Sequence, residues 1–399
     1  MDPQAGKAAP YVDAARNLAP RVHEFRQEIE RQRTLPAALV SDMTDAGFFS
    51  LWRCRALGGP ELTFTDFLNV IEELSSADGS VGWCAMVASV WSRLSGYVGE
   101  DVGREIFGVD SRLAGSVNPT GMAAAVPGGF RVSGRWSYGS FIQHSKWTVG
   151  NSVVYDGETA RRDGNGAPDI RFMIFPTEAV EIIDVWHVSG LRGTGSNDFQ
   201  VSDLFVPEDR SLSAFAPTPL QPGALYTTPM ITIFAATLPC VSIGIARAAI
   251  DAFVALAEGK TPMGAVSRLR DKPTAQADLG RAEALLRSGR AFLVEAIEEI
   301  WAAAAAGQTP TMRQRAIARL AAAKAAEAGA QAVDLLYNAA GGTALFESNP
   351  LERCFRDVGK QLRTGRPRAF RTRPRHTPIL TDRQLLAPAR PPIQSYVRP

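Results

Sequence analysis

Cysteine and histidine are scarce here, four of each in 399 residues. Cys54, Cys84, Cys240 and Cys354 lie far apart, with no CxxC and no neighbouring His pair. That pattern points to free thiols in a reducing compartment, not to a disulfide framework or thiolate metal site. No GxGxxG joins a strand to a helix, so nothing in the chain fits NAD(P)H binding on a dinucleotide fold. An excess of one charge is missing too: the net charge of +2 predicts no affinity for nucleic acid or a membrane. The N-terminal stretch lacks a basic segment followed by an apolar core, so no signal peptide is expected. No run of the ~18 apolar residues of a membrane span is evident. The expectation is a cytoplasmic protein.

What is present is 45% hydrophobic and 21% charged residues, a soluble globular balance, in a length that suits two or three domains. Residues 1–112 read as helices. Val22, Phe25 and Ile29, then Leu35, Leu39 and Met43, recur at helical spacing, with Thr34 cap-like and Pro36 near a first turn. Thr65 and Asp66 can cap the next helix, whose buried face is Phe67, Val70, Ile71 and Leu74. A Gly-interrupted apolar helix carrying Trp83 and Trp91 follows, and by themselves these tryptophans fit a core. From about Leu113 the period drops to two. Residues 113–215 read as a β-domain of short antiparallel strands: a strand-turn-strand in 129–136, further strands in 147–154 and 171–176, and a polar solvent loop between them. A proline-containing linker, 216–229, precedes long Ala-rich helices from Ile231 to about Glu258, Thr274 to about Ala306 and Thr311 to about Asn338. Short connections make these an antiparallel bundle spanning 230–358. In residues 359–399 stand nine Arg, seven Pro and one acidic residue, Asp382, which reads as a poorly packed tail.

The stretch WHVSGLRGTGSNDFQVSDLFVP, Trp186 to Pro207, is the most informative. A turn-rich loop runs through Ser189, Gly190, Gly193, Thr194, Gly195 and Ser196. It then closes into an alternating strand of Phe199, Val201, Leu204, Phe205 and Val206. Glycines let backbone approach a flat or anionic ligand, and the hydroxyls and free N–H groups between them can bond ring heteroatoms or phosphate. An ordinary hairpin connection has a similar composition.

Together with ADGSVGW (77–83), GGFRVSGRWSYGSFIQH (128–144) and AGGTALFESNPLERCFRDV (340–358), that stretch resembles the flavin-dependent monooxygenases built on the acyl-CoA dehydrogenase fold. Dibenzothiophene monooxygenase and the oxygenase component of 4-hydroxyphenylacetate hydroxylase belong to that group. The resemblance covers about residues 15–358. It implies an α+β, mainly α fold: an N-terminal helical domain, a middle small β-barrel or sandwich and a C-terminal four-helix bundle. It further implies FMNH2 or FADH2 delivered by a separate NAD(P)H:flavin reductase, O2 as co-substrate, and a C4a-hydroperoxide that hydroxylates an aromatic, heteroaromatic or amine small molecule. The assembly implied is a homotetramer or dimer of dimers. Residue by residue, Asn118 and Thr120 stand where the family bonds the flavin's pyrimidine edge. Tyr138 and Ser140 match the segment that touches the isoalloxazine ring. Trp186 and Ser196, ten apart, match a Trp that packs on the ring and a Ser that bonds the cofactor. Arg268 (with Arg270 in range) resembles a phosphate-binding arginine, and Gly341 and Gly342 a pair lent by a neighbouring subunit.

For the chemistry, a dehydrogenase needs a carboxylate base within hydrogen-bond reach of the substrate. After the Arg356–Asp357 pair the only acidic residue is Asp382, and ITIFAATLPC (231–240) at the first bundle helix lacks a Glu. A monooxygenase needs a dry site and groups that manage protons. Ser196 is one candidate. His144 is the other: it lies eight residues after Trp136, as does the family's active-site His, and an imidazole can act as base near neutral pH. His187 points away from Trp186 in an extended segment, and His23 reads as surface. Relatives carry a second His shortly after the Arg-Asp pair; here GKQLRTGRPRAF has none before His376. The alternative activities are an acyl-CoA dehydrogenase-like flavoprotein or an inactive paralogue.

Overall fold

The computed structural model describes residues 8–364, apart from Asn165 and Ala216. Arg366–Pro399, with His376 and Asp382 of the expected tail, lies outside the described residues. Helices come first: α1 (Ala9–Gln32), α2 (Ala37–Asp45), α3 (Phe64–Ala77), α4 (Gly79–Ser92) and α5 (Glu100–Ile106). Val22 and Ile29 of α1 and Leu39 and Met43 of α2 are buried at the expected spacing. The caps differ from expectation. Pro36 is the N-cap of α2, and Thr34 points elsewhere, to His144. Helix α3 is capped by Thr63, whose side chain accepts from the Asp66 amide, and not by Thr65 or Asp66. A cap sits two or three residues before the amide it satisfies, and Thr63 lies three before Asp66. Asp78 then ends α3 and caps α4, accepting from Ser80 and Val81 amides.

Eight strands form one sheet: β1 (Leu113–Val126), β2 (Gly129–Gly139), β3 (Trp147–Asp156), β4 (Thr159–Ala160), β5 (Ile170–Pro176), β6 (Glu181–Ile183), β7 (Asn197–Pro207) and β8 (Ser211–Ser213). The order is β6-β7-β2-β1-β3-β5-β8, with β4 on β3. The sheet encloses a core of its own, Ala123, Val132, Trp136, Val154, Phe175, Phe199 and Val206 among others. Two corrections arise. β1 and β3 pair in parallel, so the sheet is not wholly antiparallel. Residues 129–136 are one continuous strand, because the turn falls earlier, at Pro127–Gly128. Gly134 lies inside β2 because a Cβ there would meet Gly121 Cα at 2.7 Å. In β7 the alternation slips at Asp203, a bulge residue with φ 50° whose amide donates to Ser133 Oγ. Val201 before the slip and Val206 after it are therefore both buried, and Phe205 is exposed.

The expected linker contains a short helix, α6 (Ala224–Thr227), and is pinned from within. The fully buried Arg93 guanidinium donates to the carbonyls of Leu225 and Thr228, each at 2.6 Å, and to that of Tyr226. Then come α7 (Met230–Gly259), α8 (Pro273–Ala305), α9 (Met312–Ala340) and α10 (Pro350–Thr364). Small residues, Ala321, Ala325, Ala328, Ala332 and Gly329, line the buried face of α9, and α7 and α8 pack against that helix. Thr311 and Gln314 form a capping box at its start. Helix α7, expected from Ile231 to about Glu258, is at 30 residues long and apolar enough to cross a membrane by length and composition, although no such apolar run is evident in the sequence reading. Of its most apolar stretch 61% is buried inside the fold, as expected for a core helix. Helix α10 runs to Thr364, past the expected start of the tail.

Candidate flavin site

The loop between β6 and β7 is built by close approach. A Cβ on Gly190 would sit 2.2 Å from the Arg356 carbonyl oxygen, and one on Gly193 would sit 2.2 Å from Ile29 Cγ2. These glycines let the loop lie against α10 and α1. Polar anchors hold it there. Asn197 Oδ1 accepts from the Val185 and Trp186 amides, each at 3.1 Å. Arg192 Nε donates to the Glu30 carbonyl at 3.0 Å, and Arg356 donates to the Ser189 carbonyl. The Leu191 amide donates to Asp357 Oδ1 at 2.6 Å. Leu191 itself has φ 52°, ψ 39°, a left-handed conformation that costs a non-glycine residue ~1–2 kcal/mol.

That geometry assembles a chain of hydroxyls. Trp83 Nε1, on α4, donates to Ser140 Oγ at 3.0 Å. Ser140 Oγ and Ser196 Oγ are 2.7 Å apart, as are Ser196 Oγ and Thr194 Oγ1. Thr194 Oγ1 donates to the Leu191 carbonyl at 2.9 Å. An indole N–H can only donate and a carbonyl can only accept, so the hydroxyl protons run in one direction, from Ser140 through Ser196 and Thr194 to Leu191. Trp186 Nε1 donates to the same carbonyl at 3.1 Å. Tyr138, half-exposed and at φ 68°, meets the Trp186 ring edge-on with centroids 6.2 Å apart. Of the expected residues, Tyr138, Ser140, Trp186 and Ser196 are thus brought together.

Asn118 and Thr120 lie on the stretch of β1 where its pairing with β3 is interrupted, and the 117–120 segment is exposed. Thr120 Oγ1 donates to the Arg135 carbonyl of β2, so Asn118 lies level with the strand end that carries Tyr138. Arg268, Gly341 and Gly342 form a separate group. Arg268 donates to the Glu258 carbonyl. Lys260 ties the two segments together, its carbonyl accepting from the Leu269 amide and its Nζ donating to Thr343 Oγ1 at 2.7 Å. Gly341 has φ 60°, and both glycines are exposed. No hydrogen bond or ring contact among the described residues links this group to the hydroxyl chain.

His144 has other partners. Its Nε2 lies 2.9 Å from Thr34 Oγ1 and its ring 5.4 Å from that of Phe141. Burial, helped by Arg112, pushes its pKa below the usual histidine value, against a backbone bond at Leu35. The ring is a neutral lock between the β2–β3 connection and the α1–α2 connection. His187 is exposed while Trp186 is buried, as the extended segment predicts.

Sequence reasoning missed three contributors. Trp83 was read as core, and its N–H instead opens the hydroxyl chain. Asn197 and Asp357 escaped because their partners are backbone groups 11 to 166 residues away. Only the adjacency of Asn197 to the loop gave any signal. Asp357 lies in a buried ionic cluster. Arg353 Nη2 is 2.6 Å from Asp78 Oδ2 and 3.5 Å from Glu30 Oε1, and Arg353 Nε is 3.7 Å from Asp357 Oδ2. Burial, with Asp78 nearby, pushes the Asp357 carboxyl up to about 7, opposed by Arg353 and the Leu191 amide.

An exposed aromatic beside buried hydroxyls and an unpaired strand segment suit a planar, hydrogen-bonding cofactor. Asn118 and Thr120 would meet its polar edge, Tyr138 and Trp186 its ring. The fold and this site together define a flavoprotein oxidoreductase of the acyl-CoA dehydrogenase fold. Residues 11–99 match the N-terminal domain of acyl-CoA dehydrogenase, and 236–360 match the C-terminal domain. The oxygenase subunit HsaA of a flavin-dependent monooxygenase from Mycobacterium tuberculosis is 31% identical over 89% of this chain and 91% of its own length. Indole-3-acetate monooxygenase from Pseudomonas putida is 32% identical, covering 87% of this chain and 86% of its own. XiaF from a Streptomyces species, solved with FADH2 and glycerol, superposes with a TM-score of 0.83 at 26% identity, covering 91% and 94% of the two chains. The chain belongs to the flavin-dependent monooxygenases of this fold, and it is an oxygenase component using reduced flavin and O2.

Proposed function

We propose that the chain hydroxylates an aromatic or heteroaromatic small molecule, with reduced flavin supplied by a separate NAD(P)H:flavin reductase in the cytoplasm. The observation that carries this is the buried hydroxyl chain ending at Ser140 beside Tyr138 and Trp186. Relatives named for indole-3-acetate and resorcinol support the substrate class. When bound, reduced flavin supplies the electrons and the oxygen-transferring centre. The protein's part is to exclude water and manage protons. Ser140, Ser196 and Thr194 are 4%, 3% and 1% exposed, so the chain holds its hydroxyls in fixed donor and acceptor roles without admitting solvent. Ser196, between two hydroxyls, is proposed as the group facing the reacting atoms. The geometry favours it over His144, whose ring is engaged by Thr34 and Leu35.

Arg268, Gly341 and Gly342 are proposed to serve the flavin of a neighbouring subunit in a homotetramer. Their separation from the hydroxyl chain and the exposed Leu345 and Phe346 beside the glycines support this. A dehydrogenase reading has less support: ITIFAATLPC at the start of α7 offers no carboxylate, and the buried Asp357 is bonded to Leu191.

The test supplies FADH2 or FMNH2 from an added reductase, with ¹⁸O2 and indole-3-acetate or resorcinol as probes. One labelled oxygen in the product supports the reading. Flavin consumption with hydrogen peroxide as the only product, across both probes and both flavins, refutes the proposed substrate class.

A further inference from the structure

Outside the residues that would touch flavin, one buried carboxylate bonds directly to the backbone of the cofactor loop. Leu191 is a junction of two peptide groups. Its N–H faces Asp357 Oδ1 at 2.6 Å, and its carbonyl, in the next peptide group, accepts from both Trp186 Nε1 and Thr194 Oγ1. The two groups are joined through a non-glycine residue at φ 52°, a conformation that persists only when surrounding groups over-determine it. Arg356, adjacent to Asp357 on α10, holds the Ser189 carbonyl of the same loop. The α10 backbone touches Gly190 closely enough to forbid a Cβ.

We infer that Asp357 is a positioning residue for the flavin site: its carboxyl group, through the Leu191 amide, fixes the left-handed Leu191 backbone, whose carbonyl in the next peptide group anchors both the Trp186 indole and the far end of the Ser140–Ser196–Thr194 chain. This rests on the flavin reading above and adds a residue 166 positions away from the loop it controls. Without that acceptor Leu191 is free to leave its left-handed conformation. Trp186 and Thr194 then lose their shared carbonyl together, and the hydroxyl chain loses its direction. What matters is an acceptor oxygen at the amide, so an asparagine, which keeps one, substitutes where an alanine does not. The other groups around the carboxyl, Arg353, Asp78 and Glu30, contribute charge but no bond to Leu191.

The experiment compares wild type, Asp357→Asn and Asp357→Ala for binding of FMNH2 and FADH2 and for hydrogen peroxide released when oxygen is admitted, with thermal unfolding measured alongside. Asp357→Ala is expected to weaken reduced-flavin binding about tenfold, the upper end of the net worth of one hydrogen bond, and to hasten peroxide release. Asp357→Asn is expected to stay within about threefold of wild type, one donor–acceptor bond being kept. Should Asp357→Ala not fold, Asp357→Ser, whose hydroxyl stops short of the amide, is read the same way. Equal losses in Asn and Ala would overturn the inference in favour of a charge role within the ionic cluster. Unchanged flavin handling in a folded Ala or Ser variant would overturn it outright. A wild type that binds neither reduced flavin would instead refute the function on which the inference rests.

Discussion

Gly190 gives the most direct mechanical test of how the loop is held. A methyl group there would lie 2.2 Å from the Arg356 carbonyl oxygen, 2.5 Å from its carbon and 2.9 Å from the Asp357 nitrogen. All three are backbone atoms of a hydrogen-bonded helix, so no side chain can swing aside. Gly190→Ala must push the loop off α10, stretching the 2.6 Å Leu191–Asp357 bond. Overpacking costs about 1–3 kcal/mol, and contact with three backbone atoms of one helix puts this case near about 3 kcal/mol. For a chain of this size that is a fall of roughly 3–6 °C in Tm. Reduced-flavin affinity should fall with it, because Trp186 and Thr194 depend on the displaced peptide. Gly280→Ala, on the exposed side of α8 with no atom within 4 Å of the added carbon, is the control. It should raise stability by about 0.4–1 kcal/mol. Calorimetry and flavin titration on both variants decide the matter. A Gly190→Ala protein with unchanged Tm and flavin affinity would refute the packing argument.

Three further outcomes are expected. Ser196→Ala removes the middle of the hydroxyl chain and leaves the buried Ser140 hydroxyl without its acceptor, at about 1–3 kcal/mol, while Thr194 keeps its bond to the Leu191 carbonyl; product formed per flavin oxidised should drop, with hydrogen peroxide making up the difference. Arg93→Met leaves the Leu225 and Thr228 carbonyls without their donor, while that of Tyr226 keeps the Tyr97 hydroxyl, and unfolding should show a loss of about 3 kcal/mol or more. His144 has a folded-state pKa below its unfolded value. Its contribution is therefore fully present above the unfolded value of about 6.5 and is lost as pH falls through and below it. Denaturant titrations at pH 7.5 and 5.5 should show a smaller pH difference in His144→Gln than in wild type.

The long bundle helices were legible almost to the residue. Pro229, Pro273 and Thr311 mark starts that local chemistry enforces, and Ala-rich faces repeat at 3.6 residues. Strand β7 was legible through its alternation, though not its slip, since the left-handed Asp203 depends on the Ser133 hydroxyl of another strand. Thr34 was misread as a cap because a hydroxyl before an apolar run fits that role locally; its real partner, His144, is 110 residues away. The candidate site divides the same way. Tyr138, Ser140, Trp186 and Ser196 were readable because loop and strand carry them in compact motifs. Trp83 and Asp357 were not, since each acts through a bond to a distant segment and nothing in their own neighbourhoods marks it.

This chain is proposed to protect reduced flavin and to direct its reaction with oxygen. Rapid mixing of the anaerobic protein–FMNH2 complex with oxygenated buffer, repeated with FADH2, measures this directly. With at least one flavin, reoxidation should be delayed well beyond the free-solution time, and Ser196→Ala should shorten the delay. Reoxidation of both flavins at their free-solution rates would contradict that role.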